Sequence, residues 1–132
     1  MRSSTICVSL ICTTLFLLSC GQQSHTPPKD DSQSGSTNAA ITFLELGSTN
    51  CIPCKQMQPV MKSIETRYAG QVNVIFHDVM KDRSISQKYG IKLIPTQVFL
   101  DTNGKEIMRH EGFFPEEEID KFLTAQGLAA LY

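Results

Sequence analysis

Cys51-Ile52-Pro53-Cys54 is the most informative stretch of this sequence. It follows an apolar run at residues 41–46 and a short polar loop at residues 47–50, and it opens a segment with helical periodicity. Two cysteines separated by two residues, at the step from a strand to a helix, indicate a redox motif when a βαβ pattern surrounds them. Because the N–H groups and positive dipole end of a helix N-terminus favour a thiolate, we expect Cys51 to be reactive. Cys54 lies about one turn further along, close enough to form a disulfide with Cys51.

Two other interpretations of the cysteine pair are half of a metal site and an inert structural disulfide. A zinc site needs further ligands at a matching spacing, and the sequence contains no second CxxC or CxxH pair. We therefore favour redox chemistry by the thiols themselves, and we predict no metal and no cofactor.

The N-terminus has the pattern of an export signal. Arg2 supplies a positive charge, and residues 6–18 are mostly apolar, a length typical of a signal-peptide core. The run ends in Leu17-Leu18-Ser19-Cys20, which resembles the bacterial lipoprotein signal, in which cleavage precedes a cysteine that carries lipid. We predict a signal peptide at residues 1–19 and acyl chains such as palmitate on Cys20, which would hold the protein to the periplasmic side of a bacterial membrane. The alternative is an ordinary secretory signal with an incidental cysteine.

Cleavage of that signal would leave a tether and one domain. Residues 20–38 are rich in Gln, Ser, Gly, Pro and Asp, so we predict a flexible tether that cannot build a core. Residues 39–132 are enough for one domain, which we expect to be a monomer. The chain has 12 Lys+Arg against 13 Asp+Glu and no basic stripe, which argues against nucleic acid as a partner.

Glu45 is an acid inside an apolar strand pattern. Burying a carboxylate is expensive unless it is paired or neutral. One interpretation is that Glu45 lies at the strand end and faces water. The other is a buried acid near the cysteines that moves protons, which we favour.

The remaining periodicities predict an α/β domain. Met57, Val60, Met61, Ile64 and Tyr68 form one apolar stripe, which predicts a helix over residues 51–69. We expect strands at residues 39–46, 72–77, 96–100 and 105–111, a short helix at 82–89, and a last helix with Pro115 at its first position. The order is strand, CxxC helix, strand, helix, strand, hairpin, strand, helix, which predicts a central mixed four-stranded sheet flanked by helices.

This order and several motifs resemble the thioredoxin family over roughly residues 41–126. Pro59 falls five residues after Cys54, where thioredoxins have a proline inside the helix. Lys88-Tyr89-Gly90-Ile91 followed by Ile94-Pro95-Thr96 is similar to the family segment that carries a cis-proline. The C-terminal hairpin is also similar to the exported C-terminal domain of transmembrane thiol–disulfide interchange proteins.

The resemblance implies the thioredoxin fold and a set of roles. Cys51 would attack a substrate disulfide and Cys54 would resolve the mixed disulfide. Glu45, in the place of the family's buried acid, would take the proton from Cys54. The backbone at Ile94, Pro95 and Thr96 would bind the substrate.

Three positions depart from the family. Asn50 stands where the family has a tryptophan, and Ile52 where it has a glycine. Phe76, with His77 beside it, stands where many thioredoxins have a lysine that pairs with the buried acid. The reduction potential therefore does not follow from the resemblance.

The expected function is a membrane-anchored thiol–disulfide oxidoreductase that acts mainly as a reductase. Its partners would be disulfide-containing exported proteins and a membrane electron-donor protein. A disulfide oxidase or isomerase uses the same motif. Another alternative is a copper-delivery module, in which Cys51, Cys54 and His77 hold Cu(I). A cytochrome or cofactor-assembly module would use the same two cysteines to reduce its client.

Overall fold

The computed structural model describes residues 38–132. The predicted signal peptide at residues 1–19, the lipid on Cys20 and the tether at residues 20–38 lie outside the described residues, apart from residue 38 itself. The elements are β1 (Ile41–Gly47), α1 (Ile52–Arg67), β2 (Val72–Asp78), α2 (Arg83–Lys88), β3 (Thr96–Leu100), β4 (Glu106–Glu111) and α3 (Glu116–Ala125).

The four strands form one mixed sheet in the order β2-β1-β3-β4. β1 is parallel to β2 and antiparallel to β3, and β3 is antiparallel to β4. β1 therefore has a hydrogen-bonded neighbour on each side, and six of its seven residues are buried. This burial explains its nearly continuous apolar sequence, and the predicted fold class is confirmed.

The two faces of the sheet have separate cores. The larger core lies on the side of α1 and α3, where the rings of Phe43 and Phe99 stack at 4.7 Å between centroids. The smaller core lies on the other face, around Leu44, Leu46 and Val98, with Ile85 of α2 packed against it. Because side chains alternate along a strand, β1 supplies alternate residues to each core.

The helices differ slightly from the sequence expectation at their ends. The apolar stripe of α1 is buried as predicted, and Pro59 lies inside that helix. Pro115 is the N-cap of α3 instead of its first residue.

Arg67 at the end of α1 forms ion pairs with Glu116 and Asp120 of α3, which joins the two helices on one face of the sheet. None of the helices between residues 38 and 132 has the length and hydropathy to cross a membrane.

Candidate active site

The two cysteines lie at the N-terminal end of α1. Cys51 is the N-cap residue, and a disulfide joins it to Cys54, with 5.2 Å between the Cα atoms. The backbone N–H of Cys54 donates to Cys51 Sγ at 3.3 Å. In the reduced protein the same N–H and the helix dipole would stabilise a thiolate on Cys51. The first turn of α1 contains no acidic residue that would oppose this effect.

The two sulfur atoms have different access to solvent. Cys51 is partly exposed, whereas Cys54 is 1% exposed. A disulfide of another protein can therefore approach Cys51 but cannot reach Cys54. This asymmetry suits an attacking Cys51 and a resolving Cys54.

The loop before β3 lies against Cys51. The Ile94–Pro95 peptide bond is cis, and the Ile94 carbonyl oxygen lies 3.9 Å from Cys51 Sγ. Two hydrogen bonds hold this loop: Thr96 Oγ1 donates to the Leu93 carbonyl at 2.7 Å, and the Gly112 N–H donates to the Pro95 carbonyl at 2.8 Å. The structure thus brings Ile94 to the side of the disulfide, with Pro95 and the buried Thr96 directly after it. The prediction that these three residues bind substrate through their backbone stays a prediction.

The segments next to Cys51 carry exposed apolar side chains. Ile52 is 73% exposed and Leu93 is 52% exposed, and Phe113 follows the glycine that contacts Pro95. Between residues 38 and 132, the backbone N–H and carbonyl of Ile94 make no backbone hydrogen bond. A short segment with free backbone groups and apolar neighbours can accept an extended peptide as an added strand.

Glu45 is completely buried in β1, so the interpretation that it faces water is wrong. Gln97 Nε2 donates to Glu45 Oε2 at 3.0 Å. Burial raises the pKa of Glu45 from 4.5 to about 7, while the hydrogen bond from Gln97 acts in the opposite direction. The neighbour of Glu45 on β2 is Phe76, which provides no charge. Glu45 can therefore exchange a proton near neutral pH, and its role in the reaction stays a prediction.

Gly47 is part of the site and was missed by the sequence analysis. A Cβ atom at this position would lie 3.1 Å from Cys54 Sγ and 3.3 Å from the Phe76 ring. A glycine is needed here because α1 approaches the end of β1 closely. The available signal was a glycine directly after an apolar strand and shortly before the first cysteine.

Gln97 was also missed. It is fully buried in β3, and its side-chain amide contacts both Glu45 and the Gly112 carbonyl. The sequence feature that could have revealed it is a large polar residue inside the apolar run of residues 96–100. Its partner could not be named from the sequence, because the pairing of β1 with β3 joins residues 52 positions apart.

The structure does not bring His77 to the cysteines. His77 pairs with Leu46, whereas Glu45 pairs with Phe76, so His77 points to the opposite face of the sheet from Phe76. Cys54 packs near Phe76. Within residues 38–132 no group of three His, Cys, Asp or Glu side chains is arranged to hold a metal ion. No geometric observation in this range therefore favours the copper alternative.

The sequence model of the thioredoxin-like domain matches residues 28–127. The chain belongs to the thioredoxin-like family. It is 26% identical to thioredoxin of Bacillus subtilis (strain 168) over 95 residues, which cover 72% of this chain and 90% of that protein. It is 27% identical to thioredoxin of Staphylococcus aureus over 85 residues, which cover 64% of this chain and 81% of that protein.

A solved structure supports the same fold. A mutant thioredoxin from Halobacterium salinarum NRC-1 has a TM-score of 0.62 to this chain at 18% identity, covering 69% of this chain and 78% of that one. Together with the disulfide at the start of α1, membership of the thioredoxin-like family identifies this chain as a thiol–disulfide oxidoreductase.

Replacing Gly47 with alanine tests the close contact between β1 and Cys54. We expect Gly47→Ala to lower the free energy of unfolding by about 1–3 kcal/mol, because the added methyl group overpacks a closed site. The measurement is equilibrium unfolding of the reduced protein in denaturant. In a Cys54→Ala background the same substitution should cost less, since the sulfur contact is gone. Equal costs in both backgrounds would contradict this explanation.

The raised pKa of Glu45 predicts a pH-dependent loss of stability. The folded protein binds this proton more tightly than the unfolded chain, so the loss develops as the pH rises from 4.5 to about 7 and is constant above it. Its size is about 3 kcal/mol. The stability of Glu45→Gln relative to wild type, measured by denaturant unfolding of the oxidised proteins, should therefore rise across this range. Glu117→Gln, at an exposed position, is the control, and a pH-independent difference for Glu45→Gln would refute the assignment.

Proposed function

We propose that this thioredoxin-like protein is held to the periplasmic side of a bacterial membrane by lipid on Cys20 and reduces disulfides of exported proteins. The observation that supports the reaction is the pairing of an accessible Cys51 with a buried Cys54 at a helix N-terminus. The support for the location is the sequence of residues 1–20, in which an apolar run ends at Leu17-Leu18-Ser19-Cys20.

The reaction transfers two electrons from the protein dithiol to the client disulfide. The Cys51 thiolate attacks one client sulfur, the client disulfide breaks, and the released client thiolate takes up a proton. Cys54 then loses its proton to Glu45 and attacks Cys51 Sγ. The Cys51–Cys54 disulfide forms, and the second client thiolate leaves.

The client would lie along the loop at Ile94. Its extended backbone would hydrogen-bond to the free N–H and carbonyl of Ile94, which places the client cysteine next to Cys51. A groove of about 400 Å³ runs from this loop towards α2 and is lined in part by Met80, Leu93 and Ile94. This groove would accept an apolar client side chain next to the cysteine.

A reductase in this location needs a source of electrons. The space outside the cytoplasmic membrane is oxidising, so each turnover would leave the Cys51–Cys54 pair as a disulfide. A membrane protein with a dithiol of lower potential would reduce it again. If residues 20–38 form a flexible tether, its length would let the domain reach both this donor and its clients.

Variants of the two cysteines test the reductase reaction. The wild-type domain with dithiothreitol should accelerate the reduction of insulin disulfides, and Cys51→Ser should lower this rate to that of dithiothreitol alone. Cys54→Ser should instead accumulate a mixed disulfide, visible on a non-reducing gel. A reduction potential near that of a strong oxidant (about −120 mV) instead of thioredoxin's (about −270 mV) would contradict the reductase direction.

Acyl labelling tests the membrane attachment. In a bacterial host, the full chain should incorporate labelled palmitate and sediment with membranes, because acyl chains on Cys20 partition into lipid. Cys20→Ser should lose the label. Cys12→Ser, inside the predicted signal core, is the matched control and should keep it. An unlabelled wild-type protein would refute lipid attachment.

A further inference from the structure

Four side chains form one row across the sheet. Phe76 on β2, Glu45 on β1, Gln97 on β3 and His110 on β4 are neighbours in the strand register. Neighbours in register point to the same face of a sheet. On β1 the next residue on that face is Gly47, over which Cys54 Sγ lies. The buried acid, the buried amide and the resolving sulfur therefore share one closed layer under α1.

The amide of Gln97 connects Glu45 to the loop at Pro95. Its Nε2 donates to Glu45 Oε2 at 3.0 Å and to the Gly112 carbonyl at 3.1 Å, so both of its N–H hydrogens are used. The N–H of Gly112 donates in turn to the Pro95 carbonyl at 2.8 Å. Through Gln97 and Gly112, a continuous set of hydrogen bonds runs from the proposed proton acceptor to the proposed client-binding loop.

The orientation of this amide is determined by its neighbours. Turning it round would place Gln97 Oε1 against Glu45 Oε2 and the Gly112 carbonyl oxygen, all of which are acceptors when Glu45 is ionised. With the amide as it stands, one oxygen of each of these two side chains lacks a hydrogen-bond partner within residues 38–132, Glu45 Oε1 and Gln97 Oε1. Oε2 already accepts an N–H and Oε1 accepts none, so Oε1 is the oxygen of Glu45 with more free capacity to accept a proton.

We propose that Gln97 is a positioning residue, which holds Glu45 by Oε2 so that Oε1 receives the proton of Cys54. This inference rests on the proposed role of Glu45 in the reaction. In the second step the S–H bond of Cys54 breaks and the proton moves to Glu45 Oε1, directly or through a water molecule. The electron pair left on Cys54 forms the bond to Cys51 Sγ, and the client sulfur leaves with the electrons of the broken mixed disulfide.

The other titratable groups around Glu45 are few. Cys54 of α1 lies against Gly47, the next residue of β1 on the same face. His110 lies beyond Gln97 on β4, with its ring stacked on Phe114 at 4.1 Å and Nε2 3.2 Å from the Phe113 carbonyl oxygen. β2 contributes Phe76 on this face, and the acids of α3 that face α1, Glu116 and Asp120, are paired with Arg67. Gln97 is therefore the group that donates to the carboxylate of Glu45.

Removing the amide donor of Gln97 should shift the pH dependence of the second step, the attack of Cys54 on Cys51 Sγ, to higher pH. The hydrogen bond from Gln97 lowers the pKa of Glu45, so its loss raises that pKa further. Gln97→Met has a similar length and no donor. It should displace the inflection of the rate to higher pH and slow the step several-fold at pH 7, where less Glu45 would be ionised.

The step can be followed with a small aromatic disulfide. Dithiobis(nitrobenzoate) reacts first with Cys51 to form a mixed disulfide, and Cys54 then expels the second thionitrobenzoate, whose release is measured against pH. Tyr68→Phe, which removes a buried hydroxyl at the far end of α1, controls for general loss of stability. Its pH profile should match that of the wild type.

A double-mutant comparison separates Gln97 from the rest of the mechanism. In a Glu45→Gln background, Gln97→Met should produce no further displacement of the profile. An unchanged profile for Gln97→Met alone, or an equal displacement in both backgrounds, would overturn the proposal for Gln97 while leaving the exchange reaction intact. A wild-type protein that releases no second thionitrobenzoate would overturn the exchange mechanism itself, and the proposal with it.

A measurement on the wild type does not depend on the variant folding. The side-chain amide resonances of Gln97 should shift with pH with the same midpoint as the carboxyl carbon of Glu45, because the amide is bonded to the titrating group. Amide resonances that stay fixed while Glu45 titrates would overturn the proposal.

Discussion

The burial of the Glu45 carboxyl group is the constraint around which the active-site layer is arranged. β1 is paired on both sides and covered on both faces, so a side chain at its centre cannot reach water. An apolar residue would be more favourable for the fold. Burial raises the pKa of Glu45 to about 7, against the hydrogen bond that the Gln97 amide donates, so the group can gain and lose a proton near neutral pH. The stability lost by this burial is understandable if the proton is needed by the resolving cysteine.

The two sulfur atoms also differ in their access to other molecules. Cys51, the N-cap of α1, stays partly accessible beside the Ile94 carbonyl, while Cys54 turns inward onto Gly47. One sulfur can meet a client protein and the other can meet only the first sulfur. In the proposed reaction, proton transfer takes place inside the protein and disulfide exchange at its surface. The burial of Cys54 limits its reaction with solvent oxidants.

Local patterns predicted much of this arrangement. The CxxC spacing and the apolar stripe of α1 each depend on residues close together in the chain, and the helix that they predict is present. The acid at Glu45 stood out because a charge inside an apolar strand is unfavourable. The first position of α3 was misplaced by one residue, since Pro115 suits both an N-cap and a first helical turn.

The sequence by itself determined the order of elements, the redox-active cysteine pair and the presence of an unusual acid, because each is encoded within a few neighbouring residues. Only the tertiary structure decided that Gln97 is the partner of Glu45, that Gly47 makes room for Cys54, and that His77 faces away from both. These three relations depend on strand pairing and helix packing between distant parts of the chain. Such contacts are set by the register of the sheet and the depth at which α1 packs, and no local pattern of residues specifies either.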